Sequence, residues 1–538
     1  MDKKLLSAGC AGLFLGVLAA GDLTVSPVFT SGMVLQREKN VPVWGTGKPG
    51  ESVEVKFKDQ SVKGKIGSDG KWAVGLAPMK ADGKGAVLTV RSGNETKSLY
   101  NVVVGEVWVL FGQSQIETSF GGKLGELKRL DLRVLEPAAR ENLEAEIGKF
   151  VAEVQPDPQH RQCRVWLNST MSWWELKSKN VKPFSVMGFH LAEILRKELN
   201  VPVGIINMAR GCSSLESWLP EDAFTLASLQ EAKKQVEPFR RFYYDYLAKK
   251  LSDQEIADEF ARYCKRTPGM SGNLKDGKPV LKSYGWIWQH MRVVSPSGNY
   301  ENAAKHLVPF AVRGMIWWQG ETNYKDKDYD QKLKLLIETY RKLWQEPALP
   351  MLVVLQGQRR QYSGSYGRFR DQQFRGVNVI PNTFLVNNIS TPPEEAGMIH
   401  PYHDKVQAGK EAAALVLSRI YGKKDKNGCG PVFDSAVFRG SEAAVSFRFG
   451  NGLKTADGKA PAGFELAGAD GKFHPAEASV RDGKVIVTSK QVPEPRAVRY
   501  MWDDTASRPN LVNAEGLTVF PFDTSLGFFR QGSRINAK

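Results

Sequence analysis

Between residues 105 and 420 short apolar runs alternate with helical stripes, and that alternation admits few architectures. Glu106-Val-Trp-Val-Leu-Phe111, Val201-Pro-Val-Gly-Ile-Ile206, Val312 to Trp318 and Met351-Leu-Val-Val-Leu355 are short, almost uniformly apolar and read as buried strands. Between them Met187, Leu191, Ile194 and Leu195 share one helical face. Leu333, Leu336, Ile337, Tyr340, Leu343 and Trp344 make a second stripe, and Val406, Ala413, Val416, Leu417 and Ile420 a third. Buried strands joined through amphipathic helices predict a parallel sheet with helices on both faces.

The two ends read differently. From residue 22 to 104, Val41-Pro-Val-Trp44, Ser52-Val-Glu-Val-Lys-Phe57 and Val87-Leu-Thr-Val90 are separated by Gly-rich turns, which predicts a small β domain. From residue 430 to 538 β signals return in Ala444-Val-Ser-Phe-Arg-Phe449, Val485-Ile-Val-Thr488 and Ala497-Val-Arg-Tyr500. The α/β unit is therefore placed at 105–429, with two charged helical insertions near 123–161 and 221–267. In the second of these, Phe239, Phe242, Tyr243 and Tyr246 can pack together.

A chain of 538 residues exceeds one ordinary domain, and 42% hydrophobic content is enough for a sizeable core. The net charge of +16 fits a basic soluble surface, or attraction to anionic material such as acidic glycans. The basic residues are scattered and form no nucleic-acid-binding motif. Residues 1–21 carry Lys3 and Lys4, an apolar stretch from Leu5 to Ala20, and the small residues Ala19, Ala20 and Gly21, the layout of a cleaved export signal. The mature chain is expected in the periplasm or outside the cell. No other stretch approaches membrane-spanning length. Cys163, Cys212, Cys264 and Cys429 match no zinc spacing and are left as either disulfide partners or free thiols.

Polar residues gather where the predicted strands end. Ser114 follows Phe111-Gly112, a place where nucleophiles sit in open α/β sheets, although a serine there can equally cap the next helix. Asn207-Met-Ala-Arg-Gly211-Cys212-Ser213 follows another strand, and the Gly211 N–H is a possible oxyanion donor. Gln319-Gly-Glu-Thr-Asn323 follows a third, and Ile399-His400-Pro401 precedes the last helix. A nucleophile, a base, an acid and oxyanion donors thus all fall at strand ends or helix starts.

These blocks carry a resemblance. Gly105-Glu-Val-Trp-Val-Leu-Phe-Gly-Gln-Ser-Gln115, Gly211-Cys-Ser-Ser-Leu-Glu-Ser-Trp218, Gly314-Met-Ile-Trp-Trp-Gln-Gly-Glu-Thr-Asn323 and Ile399-His-Pro401, with Lys405 and Gly409 following, resemble in order the blocks of the sialate O-acetylesterases, a branch of the SGNH hydrolases. Val498-Arg-Tyr-Met-Trp502 and Asn510-Leu-Val-Asn-Ala-Glu-Gly516 resemble their tail domain. The resemblance implies a flavodoxin-like core flanked by β-sandwich-like domains. It also implies serine ester hydrolysis with Ser114 as nucleophile, His400 as base and Glu321 as the acid, Glu395 being the alternative acid. The oxyanion hole would comprise Ser114 and Gly211, with Gln319 or Asn323 as a further donor. Gln115, Arg210 and Trp318 would face substrate, and no metal or organic cofactor is required. Two positions depart from the family pattern: Gln115 stands where Asn is usual, and Cys212 where Gly is usual.

The expected substrate is an O-acetylated sialic acid, whose carboxylate Arg210 could meet. An acetylated polysaccharide such as xylan is the alternative, with Trp286, Trp288 or Trp318 stacking on sugar rings. A third reading is a glycan-binding protein that has lost catalysis.

Overall fold

The structure, a computed structural model, describes residues 22–123, 137–153, 163–167, 170–176, 181–267, 270–357, 366–389, 395, 400–423, 428–502, 508–526 and 536. The export signal read at 1–21 lies outside the described residues. The core elements, in chain order, are β1 (Glu95–Gly112), α1 (Ser114–Glu117), β2 (Cys163–Leu167), β3 (Ser172–Glu175), α2 (Val186–Leu199), β4 (Val203–Asn207), α3 (Val236–Leu247), α4 (Asp253–Arg266), α5 (Tyr284–Val294), β5 (Gly314–Trp318), α6 (Tyr329–Leu343), β6 (Met351–Val354), α7 (Tyr366–Asn378), β7 (Thr383–Val386) and α8 (Tyr402–Arg419).

The strands pair in the order β7-β6-β5-β1-β4-β2-β3, all parallel except β3, which runs against β2. The five strands β4-β1-β5-β6-β7 have the flavodoxin-like order, and the order reverses at β1. From Val102 to Gly112 every residue of β1 is buried, because helices cover both faces of the sheet. One face packs in an apolar core that includes Val107, Val109, Phe111, Trp317, Leu333 and Tyr340. The other packs Trp108, Leu110, Ile205 and Ile316 against Met187 and Leu191 of α2 and Ala412 and Val416 of α8. Those two helices lie close together at Gly409, where a Cβ would come within 2.7 Å of the Met187 carbonyl oxygen.

The boundary expected at residue 104 falls inside a single strand. The first part of β1 pairs antiparallel with Asp82–Ser92, and its second half joins the parallel sheet. One strand can serve both because its early residues are partly exposed while its later ones are covered on both sides. Val41–Thr46 pairs with Lys71–Leu76, and Ser52–Phe57 with Gln60–Lys65, as alternating apolar residues require. Toward the C-terminus, one antiparallel sheet runs Val432–Arg439, Glu442–Arg448, Lys484–Thr488, Glu477–Arg481. A second joins Phe473–Pro475, Phe464–Ala467, Ala497–Tyr500 and Phe522–Asp523.

In the first charged insertion, Pro137–Glu153 is helical. Lys123, at the start of this insertion, is fully buried. The second insertion supplies α3 and α4, the latter opened by a capping box between Ser252 and Glu255. Phe239, Tyr243, Phe260, Tyr263 and Trp288 build a separate aromatic core there. Cys163, Cys212, Cys264 and Cys429 are all free thiols. Among the described residues no helix is long and apolar enough to cross a membrane.

One buried acid ties the core to the C-terminal segment. Glu411 of α8 accepts from Gln407 (3.1 Å) and from the Thr518 N–H (3.4 Å), and burial pushes its carboxyl up to about 7 from an ordinary 4.5. The folded state therefore binds this proton more tightly than the unfolded state. The resulting stability is complete below pH 4.5 and is lost as pH rises through about 7. Over that range the loss is about 3 kcal/mol. Glu411→Gln is expected to be more stable than wild type at pH 8 and to have a flatter Tm between pH 5 and pH 8. A Tm difference that is the same at both pH values contradicts this.

Candidate active site

The site lies at the carboxyl ends of β1, β4 and β5, beside the reversal of strand order. Gly112 ends β1 at φ 122°, and a Cβ there would come within 2.2 Å of the Trp318 carbonyl oxygen. Only glycine permits that turn and that approach. It delivers Ser114 half-buried to the first turn of α1, whose opening N–H groups have no intrahelical acceptor. The short helix is fixed from α2: Ser185 caps α2 through the Gly188 N–H and donates its hydroxyl to the Ile116 carbonyl oxygen (2.7 Å).

The loop after β4 approaches Ser114 closely. A Cβ at Gly211 would be 3.6 Å from Ser114 Cβ and 3.2 Å from Glu117 Oε2. The Gly211 N–H donates to that same Glu117 oxygen (2.5 Å), and Arg210 Nη1 is 3.7 Å from Glu117 Oε1. Desolvation raises the Glu117 carboxyl, against the opposing pull of Arg210, the Gly211 N–H and His400. His400 is thus within electrostatic reach of Glu117 on α1. Cys212 follows at φ 62°. Partial desolvation raises its thiol pKa, and the carboxylates of Glu117 and Glu321 add to the effect.

Glu321 is gripped by the two amides that flank Ser114. Gln113 Nε2 donates to Oε2, and Gln115 Nε2 donates to Oε1 at 2.6 Å. The other end of each amide is also used. Gln113 Oε1 accepts from the Gly320 N–H (3.2 Å), and Gln115 Oε1 accepts from Lys405 Nζ (2.8 Å). Lys405, fully buried, also donates to the Pro401 carbonyl oxygen (2.8 Å), while Lys123 Nζ donates to the His400 carbonyl oxygen. A continuous polar chain therefore runs from the histidine block through Lys405 and Gln115 to Glu321.

The alternative acid has another partner. Glu395 Oε1 meets His403 Nδ1 at 2.5 Å, and Oε2 accepts the His403 N–H at 3.2 Å. Burial pushes Glu395 up, but His403 and Lys123 outweigh it and hold the carboxyl below its ordinary value.

A profile of the family described as carbohydrate esterase, sialic acid-specific acetylesterase, matches residues 288–418, the stretch that holds Glu321 and His400. The sialate O-acetylesterase of Mus musculus is 22% identical over 437 residues, covering 74% of this chain and 74% of its own. That of Homo sapiens is 26% identical over 434 residues, covering 74% of this chain and 71% of its own. A solved carbohydrate acetylesterase from Xanthomonas citri superposes with a TM-score of 0.68 at 26% identity, over 93% of this chain and 99% of that one. Residues 288–418 thus match a sialic acid-specific acetylesterase domain, and together with these relatives that match supports a carbohydrate O-acetylesterase.

In this esterase several residues expected to face substrate do other work. Gln319 is fully buried; its amide donates to the Ser213 carbonyl oxygen and to Asn323 Oδ1, and its own oxygen accepts from Tyr329. Asn323 Nδ2 donates to Glu216 and Asp326. Neither amide keeps an N–H directed at an acyl oxygen, because both brace the loops that follow β4 and β5. Trp318 is fully buried under the Lys405 ammonium, 5.7 Å from its ring centroid, and offers no face to a sugar. Gln115 is fully buried and contacts Glu321 and Lys405 rather than solvent. Arg210 faces Glu117. Trp288 is buried in the aromatic core, whereas Trp286 is 47% exposed.

Sequence reasoning missed Gln113 and Glu117 as parts of the site. The signal for Gln113 was present: two amides flank Ser114, and a carboxylate at a strand end needs donors. Glu117 stands three residues after Ser114, the spacing that shares a helix face.

Proposed function

We propose that this chain removes O-acetyl groups from carbohydrates by two-step acyl transfer through Ser114. The observation that carries the reading is the meeting of three groups at neighbouring strand ends. Ser114 opens α1, Gly211 lies 3.6 Å from it by the measure above, and the Glu321 carboxylate is held by the amides on either side of the serine. In this reading His400 takes the proton from Ser114 Oγ as that oxygen attacks the acetyl carbonyl. Glu321 supports the imidazole and its charged form. The N–H groups of Ser114 and Gly211 receive the oxyanion, Gly211 after releasing Glu117. Each such donor is worth about 3 kcal/mol in the transition state. His400 then returns the proton to the departing sugar oxygen, and water cleaves the acetyl-enzyme by the same path.

The same reading takes residues 105–429 as an SGNH hydrolase core between β domains at 22–104 and 430–538. It takes 1–21 as an export signal, so that the enzyme meets glycans in the periplasm or outside the cell. The relatives' names nominate a sialic acid as substrate, and an acetylated polysaccharide is the second reading. The pairing of Arg210 with Glu117 favours the second, since it removes the cation expected to meet a sialate carboxylate.

Acetate release from O-acetylated sialic acid and from acetylated xylan tests the activity; release from neither contradicts it. The acid is tested separately. Glu321→Gln is expected to lower kcat by about 10³- to 10⁴-fold, as loss of a triad acid does. Glu395→Gln, which weakens the His403 contact and the attraction to Lys123, is expected to change kcat by less than about tenfold. The reverse order transfers the role to Glu395.

A further inference from the structure

The carboxylate of Glu117 has no part in the acyl-transfer scheme, yet it sits inside the site. It projects from the nucleophile's own helix, three residues after Ser114. One oxygen takes the Gly211 N–H, and the other faces the Arg210 guanidinium at 3.7 Å. Its side chain remains 38% exposed, so it is also open to an arriving ligand. The Cys212 thiol is within electrostatic reach of both Glu117 and Glu321. Among the described residues, two further cations near the site are engaged elsewhere. Lys405 is fully buried on Gln115 and Pro401, and Arg292 stacks on Tyr243 and Trp288 with ring-centroid distances of 5.9 Å. An anionic sugar entering here meets the Glu117 carboxylate and a guanidinium already paired with it.

We propose that Glu117 is a specificity-determining residue: by claiming Arg210 and the Gly211 N–H, it makes this a site for O-acetyl esters of uncharged sugars and disfavours substrates that carry a carboxylate. This rests on the acyl-transfer reading of Ser114. The discrimination is repulsive in origin: Glu117 withholds Arg210 from a substrate carboxylate and places a like charge beside it. A neutral ester displaces Glu117 from Gly211 at no such cost, and Arg210 retains the displaced carboxylate.

The test uses the full chain and two small probes that differ only in charge near the leaving group, methyl 4-acetoxybenzoate and 4-acetoxybenzoate. Their kcat/KM values are compared at pH 8 in wild type and in Glu117→Gln. Taking the ratio between the two enzymes cancels the intrinsic reactivities of the probes. The neutral-to-anionic ratio is expected to fall about tenfold or more in the variant, a size typical of a removed like-charge contact. An unchanged ratio, or one that rises, overturns the proposal. A second reading needs no variant. Raising salt from 0.05 to 0.5 M with wild type is expected to narrow the same ratio, because screening weakens repulsion at a partly exposed carboxylate; a ratio insensitive to salt overturns it also. If wild type hydrolyses neither probe, or Ser114→Ala hydrolyses both undiminished, the acyl-transfer reading fails and this proposal falls with it. That outcome is distinct from a Ser114-dependent enzyme with no charge preference.

Discussion

Replacement of Ser114 by alanine is expected to lower kcat for acetyl ester hydrolysis by about 10⁴-fold or more while leaving Tm unchanged. The size follows from the chemistry: without the hydroxyl no acetyl-enzyme forms, and only direct attack by water remains. The unchanged Tm follows from the position. Ser114 is half-buried, and its backbone, not its side chain, receives the Thr118 N–H and hydroxyl that close the short helix. The loss is expected in kcat, with KM for the ester altered little, since the sugar is held by other groups. A variant that keeps even a tenth of wild-type kcat contradicts the assignment.

The second large effect concerns stability. Lys332 of α6 is buried, with Nζ 2.8 Å from Glu216 and 2.7 Å from Asp326. Burial lowers its pKa, but the two carboxylates outweigh burial and raise it; in return, Lys332 overcomes the upward push of burial on Glu216. Asn323 donates to the same two acids. This cation therefore joins the loop after β4 to the loop after β5, the two that carry Gly211 and Glu321. Lys332→Met keeps the stem and deletes the charge. It leaves two neighbouring carboxylates without their cation, and is expected to cost about 3–5 kcal/mol. Activity should fall with it, since both site loops lose their common anchor. Adding Asp326→Asn to the Met variant is expected to recover part of the loss, because one of the opposed charges is removed. Denaturant unfolding of the three proteins reads the effect. A loss below about 1 kcal/mol would class the cluster with solvent-screened surface pairs.

The parallel sheet was legible because its strands are buried on both faces and so appear as unbroken apolar runs. Several elements were not read, the strand Ser172–Glu175 among them. The strand Cys163–Leu167 contains Arg164, whose guanidinium is buried against the carbonyl oxygens of Gly32 and Asn101 and breaks the apolar pattern. Tyr366–Asn378 is rich in Arg and Gln, yet it is buried because Arg370 and Gln373 bond backbone carbonyls of the sheet loops and the C-terminal segment. The helix Tyr284–Val294 and the strand Thr383–Val386 were also unread. Local pattern cannot reveal a buried polar side chain whose partner is distant in sequence.

The site was partly legible for the same reason. Strand-end position and block order picked out Ser114, Gly211, Glu321 and His400. They could not say which amide was already engaged. Gln319 and Asn323 look like oxyanion donors in sequence and act as braces in space. Gln115, which departs from the family's Asn, has a physical account: its amide spans Lys405 and Glu321 at once.

The most direct test of the central claim is covalent labelling. A fluorophosphonate ester reacts with an activated serine, and peptide mapping by mass spectrometry locates the adduct. One adduct per chain is expected, on Ser114, concurrent with loss of esterase activity, absent in Ser114→Ala and strongly slowed in His400→Ala. An active enzyme that takes the label on another residue, or remains active when fully labelled, contradicts it.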